Sequence, residues 1–188
     1  NTGFRWFHIV VAIMWMGMLY YFNFVQGPAL AELEKEEGGA RVKALVITTM
    51  ARRALWWFRW AAFATFVTGM LLMVVAESYF NDQFGDSSAG LAISTGMFLG
   101  IIMMLNVWGV IWRCQKVVLA DAVNQLNGAA PDPAAAVAAR KAFMISRQNV
   151  VFSLSTLFFM VYKTHGPLQN GALTSADKGL WWGITMLL

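Results

Sequence analysis

The chain has 188 residues, 59% of them hydrophobic, 14% aromatic and 13% charged, with a formal net charge of +4 and a mean hydropathy of +0.55. This composition excludes an ordinary soluble domain, and the length leaves room for four or five membrane spans but no sizeable domain outside them. The basic balance, with a pI near 9.5, does not call for a nucleic-acid partner, because multi-span proteins collect Lys and Arg in cytoplasmic loops for topological reasons.

The first apolar run, about residues 4 to 26, opens with "RWFHIVVAIMWMG". Arg5 alone flanks it and no small-residue cleavage site follows, so it reads as a span rather than a signal peptide. Trp15 falls near mid-membrane, where its indole N–H has no water, and is expected to face the bundle. "PALAELEKEE" then starts a helix with Pro28 in its first turn, Gly38 and Gly39 break it, and "ARVKALVITTMARR" reads as a second helix lying at the interface.

A second span covers about residues 54 to 76. Trp56, Trp57 and Trp60 mark one boundary, as Trp6 marks the opposite one near the start of the chain. Arg59, inside "LWWFRWAAFATFVTG", either snorkels to that boundary or pairs with a carboxylate or haem propionate. "ESYFNDQFGDSSAG" follows, with Glu77, Asp82 and Asp86 but no Lys or Arg.

The third span, about residues 90 to 112, contains "GMFLG", a GxxxG at Gly96 and Gly100 that lets helices approach closely, then Asn106, which needs a partner in hydrocarbon. Beyond it "KVVLADAVNQLNG" is helical up to Gly128, "PDP" is a rigid turn, and "AAAVAARKAFMISRQ" leads into a fourth span at about residues 148 to 165. A fifth begins near Lys178 in "GLWWGITMLL", which covers about half of the roughly 20 residues a span requires and reads as a truncated helix or an interfacial half-span. The two polar connections are solvated spacers or docking surfaces for partners.

Lys35, Arg41, Lys43, Arg52 and Arg53 precede the second span, and Arg113, Lys116, Arg140, Lys141 and Arg147 precede the fourth. The positive-inside rule then places both basic connections in the cytoplasm and the N-terminus outside. The predicted architecture is an all-α polytopic transmembrane bundle, one domain over residues 1 to 188, with four full spans, a partial fifth and interfacial helices on the cytoplasmic side.

Candidate chemistry is sparse. Cys114 is alone, which excludes an internal disulfide, and these residues include no C-x-x-C-H, H-E-x-x-H or glycine-rich phosphate loop. The twelve methionines follow no cluster and read as core filler. No metal ligand set emerges. With the N-terminus outside, His8 and His165 fall at similar depth on different helices, as the two axial ligands of a b-type haem would; interfacial histidines also often only hydrogen-bond.

"LWWFRWAAFATFVTG", "NVWGVIWRCQKVVLADAVNQLNGAAPDP" and "QNVVFSLSTLFFM", together with "RWFHIVVAIMWMG" and "THGP", resemble in the same order the transmembrane domain of the bacterial membrane-bound urate oxidases (urate hydroxylases). The resemblance covers nearly the whole chain. It implies a bacterial inner-membrane protein and, in complete family members, further spans and a cytochrome c domain that accepts electrons as urate is oxidised. Neither is present in these residues. The family's histidine- and glycine-rich stretch before the second span is replaced by "VITTMARRALWWFRW", and a histidine expected before the asparagine of span four is Gln148.

These departures imply a homologue that keeps the scaffold and has lost or changed the oxidase activity. The leading expectation is an accessory, non-catalytic membrane subunit of a larger respiratory or photosynthetic electron-transfer complex. The alternative is a membrane oxidoreductase that carries haem b on His8 and His165, oxidises urate or a related molecule and passes electrons to a cytochrome c. A transporter is disfavoured, because no internal repeat, broken span or mid-span carboxylate is apparent.

Overall fold

The computed structural model describes residues 2–75, 88–165 and 178–183, with the side chains of residues 75, 88 and 162–165 left out. The described residues form an all-α bundle with four helices long and apolar enough to cross a membrane. The chain is thus a multi-pass membrane protein. With no water to bond the backbone, a spanning segment must satisfy its own N–H and C=O groups, which apolar runs of this length do as helices.

In chain order the helices are α1 (Thr2–Tyr20), α2 (Gly27–Leu33), α3 (Gly39–Val46), α4 (Arg52–Val75), α5 (Ser88–Leu105), α6 (Trp112–Leu126) and α7 (Pro133–His165). Three π-helical segments join them in pairs: Tyr21–Gln26 between α1 and α2, Ile47–Ala51 between α3 and α4, and Asn106–Ile111 between α5 and α6. The residues flanking each segment keep right-handed helical dihedrals, so each pair is one unbroken rod.

This continuity corrects one expectation. The connecting residues are helical, as predicted, but they extend the spans instead of forming separate interfacial helices. α7 has 33 residues, about 50 Å at 1.5 Å per residue, so it outruns roughly 30 Å of hydrocarbon. The two connections are therefore helical hairpins at one end of the bundle, called here the hairpin end. They pack on each other through Ala44, Ile47 and Ala122, with Leu30, Val118, Leu119 and Leu126 around them.

The hairpin turns have clear causes. Gly38 has φ +71°, a left-handed conformation that favours glycine, and a Cβ on Gly39 would collide with the Leu33 carbonyl. In the other hairpin Gly128 has φ +90°, and Asp132 caps α7 by accepting from Ala134 N at 2.8 Å. Asp121 of α6 ties down this turn by accepting from Asp132 N at 2.9 Å.

α1 packs chiefly on α4, and α5 on α7; contacts between the two pairs are fewer. A shared core bridges them: Trp15, Met16 and Leu19 meet Phe58, Ala61 and Ala62, then Met103, Val107 and Ile111. Trp15 faces inward as expected, at 2% exposure. Residues 178–183 are helical and dock on α5 at the end opposite the hairpins, where Trp181 Nε1 donates to Thr95 Oγ1 at 2.8 Å and Trp182 meets Phe98 edge-on. The acidic connection carrying Glu77, Asp82 and Asp86 lies outside the described residues, as do Gly166 and Pro167 of "THGP".

Candidate functional site

His8 lies in α1 near the end opposite the hairpins, against Thr68 and Gly69 of α4. Its Nδ1 is 2.8 Å from Thr68 Oγ1. Thr68 Oγ1 also lies 2.7 Å from the Ala64 carbonyl and 3.1 Å from the Thr65 carbonyl, both of which can only accept. With its proton on one of those carbonyls, the hydroxyl oxygen would accept from Nδ1–H, the tautomer that leaves the lone pair on Nε2. Gly69 makes the close approach possible, since a Cβ there would stand 3.3 Å from His8 Cε1.

The helix directions place the His165 backbone at the same end of the bundle as His8. Tyr20 OH and Ser153 Oγ are hydrogen-bonded at 2.9 Å between the antiparallel α1 and α7, and His8 and His165 each stand twelve residues away from that bond in the same direction, about 18 Å of helix. Both backbones therefore lie toward the end opposite the hairpins. The His165 side chain lies outside the described residues, so the pair is placed by topology and only His8 by contact.

A line of polar contacts runs from the bundle centre to the hairpin end. Asn106 Nδ2 donates to Asn149 Oδ1 at 2.9 Å, and Asn149 Nδ2 donates to the Met103 carbonyl at 3.1 Å. Asn106 thus has the partner its place in hydrocarbon demands. Nearer the hairpins Asn23 Nδ2 donates to Ser146 Oγ at 2.7 Å and to the Leu19 carbonyl at 2.8 Å. Of the small-residue motif, Gly96 packs against Thr156, Phe159 and Met160, while Gly100 has nothing within 4 Å of a would-be Cβ.

Arg59 stacks on aromatic rings. Its guanidinium carbon lies 3.6 Å from the Trp112 ring centroid and 5.3 Å from that of Trp108, a cation–π contact that holds the charge over aromatic faces. No carboxylate among the described residues is within ion-pair reach of it. Trp108 Nε1 donates to the Arg59 carbonyl at 3.2 Å, and Trp56, Trp60, Phe63 and Trp108 continue as edge-to-face or tilted ring contacts. The result is an aromatic face with Trp56, Trp57, Trp60 and Phe63 exposed.

Where the resemblance implies a histidine, Gln148 is exposed and its neighbour Asn149 is fully buried. In "VITTMARR", Thr48 and Thr49 bond carbonyls of their own helix. Among the described residues no three His, Cys, Asp or Glu side chains converge as a metal site. The Asn23–Ser146 and Tyr20–Ser153 contacts escaped the sequence reading; the available signal was a lone polar residue within each apolar run.

Compared with known protein families, curated proteins and solved structures, the chain matches none.

Proposed function

We propose that the protein is an accessory membrane subunit of a larger electron-transfer complex, respiratory or photosynthetic, built on a scaffold like that of the membrane-bound urate oxidases and housed in a bacterial inner membrane. The observation that supports this reading is the exposed face of Trp56, Trp57, Trp60 and Phe63 beside Arg59. Tryptophan and arginine are the side chains most often found as anchors in protein interfaces, and at membrane depth an aromatic face also suits the headgroup boundary. The charge of the hairpins orients the subunit with that end in the cytoplasm.

Native electrophoresis of membranes solubilised in mild detergent tests it. The chain should migrate in a defined complex with redox subunits, and Trp57→Ala with Trp60→Ala should release it. Migration as a lone chain from native membranes overturns the proposal.

A second reading has its own support in His8. A haem-b oxidoreductase acting on urate or a related molecule needs an imidazole with a free Nε2 lone pair and an oriented ring, and the Thr68 contact supports this by holding the ring through Nδ1. His8 and His165 would hold the haem, which supplies one-electron transfer toward a cytochrome c. A reduced-minus-oxidised spectrum of native protein should then show a b-type band that His8→Ala removes; a spectrum without that band eliminates this reading.

A further inference from the structure

The hairpin end carries two hollows of different electrical character. The larger, a half-open cavity of about 640 Å³, is lined by small residues such as Ala44 and Ala142 and is bordered by all three π segments through Phe22, Ile47 and Ile111. Its charges are mixed: Glu34, Asp121 and Asp132 stand beside Lys43 and Arg140, and Lys43 pairs with Glu34 at 2.9 Å. The smaller is a furrow of about 280 Å³ between the rod of α3 and α4 and the rod of α5 and α6. Here the charge has one sign. Arg52 comes from the first rod and Lys116 from the second, and no carboxylate lines the furrow.

Helix geometry sets its depth. Trp112, Lys116 and Ala120 line it at four-residue spacing on one face of α6, so it runs from Trp112 toward the hairpin turn. Arg52 is the first residue of α4, and the exposed Trp56 and Trp57 stand about one turn further into the span. Exposed tryptophans at such a place mark the headgroup level of a bilayer, so the furrow opens where lipid phosphates lie.

A third positive charge stands close by, because the Arg59 guanidinium stacks on the Trp112 ring at 3.6 Å. Its Nε and Nη1 are buried, so it acts on the furrow through its field and not by contact. Among the described residues none of Arg52, Arg59 and Lys116 forms an ion pair with a carboxylate. The positive-inside rule accounts for cations on this side of the membrane. It does not require two rods to bring them to one acid-free furrow while Glu34 and Asp121 are engaged in the neighbouring cavity.

We propose that the furrow holds the headgroup of one anionic phospholipid, its phosphate between Arg52 and Lys116 and its acyl chains in the surrounding bilayer. Basic pockets between spanning helices are recurrent sites for such headgroups. The headgroup carries no ammonium, which would add a positive charge beside three others. Small Ala120 leaves room for it, and about 280 Å³ is below the roughly 300–1,000 Å³ of sites that enclose a whole small molecule, as suits a head whose chains stay outside. The proposal does not rest on the electron-transfer reading.

Native mass spectrometry of the full chain, titrated with phosphatidylglycerol and phosphatidylcholine of identical acyl chains, tests it. The wild type should retain one phosphatidylglycerol with a preference of about 25-fold, two cations at about fivefold each. Arg52→Gln and Lys116→Gln should each lower that preference about fivefold, and Ala120→Phe, which fills the furrow without changing charge, should abolish it. Lys141→Gln makes the same charge change at an exposed position of α7 outside the furrow and should leave the preference intact. Soluble glycerol phosphate should not displace the lipid.

Equal retention of the two lipids by the wild type overturns the proposal, as does an undiminished preference in Ala120→Phe. A loss with Lys141→Gln as large as that with Lys116→Gln overturns it in favour of diffuse charge, and displacement by glycerol phosphate overturns the lipid in favour of a free phosphate ester.

Discussion

The two helix pairs are held together by different means. Where α1 meets α4 the contact is mainly apolar, with Trp15, Met16 and Leu19 against Phe58, Ala61 and Ala62, and one polar contact, His8 to Thr68, near the end of the bundle. Where the α5–α6 rod meets α7, polar groups dominate the centre: Asn106 meets Asn149, Asn149 meets the Met103 carbonyl, and Thr156 lies 3.8 Å from Met103 Sδ. In lipid, helix association draws on van der Waals packing and interhelical hydrogen bonds, and the two pairs lean on these in different proportions. The third rod is also the most enclosed, with 56% of its spanning window buried against 28%, 28% and 22% for the others.

The largest expected effect is on the amide pair. Asn149→Leu should destabilise the bundle by about 1–3 kcal/mol, because Asn106 loses its partner in a buried position, and Phe58→Ala should cost less despite removing more volume. Unfolding of bicelle-held protein by steric trapping measures both, and a larger loss for Phe58→Ala breaks the contrast between the pairs.

Next comes Thr68→Val, which leaves His8 Nδ1 without its partner and should cost about 1 kcal/mol, within the usual range for one side-chain hydrogen bond between membrane helices. ¹⁵N NMR of the imidazole should also show the proton no longer confined to Nδ1. An unchanged ring spectrum would contradict the Nδ1–H tautomer.

The smallest effect separates the two glycines of the GxxxG. Gly96→Ala puts a methyl 3.3 Å from Phe159 Cβ and should lower stability by a few tenths of a kcal/mol to about 1 kcal/mol. Gly100→Ala meets nothing and should be neutral or slightly stabilising, since alanine is the better helix former. Equal losses at both positions would mean that the whole motif packs.

Much of the fold was legible because a span has a blunt signature in length and hydropathy. The four long apolar helices expected from the sequence are present among the described residues, and they run on past the apolar stretches at the hairpin end. Their extensions were misjudged as separate interfacial helices because Glu32, Glu34, Lys116 and Asp121 lower the hydropathy while Ala, Leu, Glu and Lys keep the backbone helical. Composition marks where a helix can leave lipid; it does not mark where the helix ends.

The π segments were invisible for a different reason. They change the hydrogen-bond register without requiring Gly or Pro, so "YFNFVQ" and "NVWGVI" read as ordinary helix. The cavity they border needed the third dimension too, since alanines spread over the chain from Ala44 to Ala142 become one surface only after the hairpins stack. His8 was singled out correctly as a polar group needing an explanation, but Thr68, sixty residues away, carried no mark beyond being a threonine in a greasy run.

The unbroken rods have a mechanical consequence. The third, Ala89–Leu126, has 38 residues, about 57 Å of helix, and its π segment begins at Asn106, close to the middle and at the amide contact with Asn149. That one rod carries Ala122 in the hairpin packing at one end and Thr95, with Trp181 bonded to it, toward the other. The geometry that joins the spans to their hairpins thus puts both ends of the molecule on one continuous element.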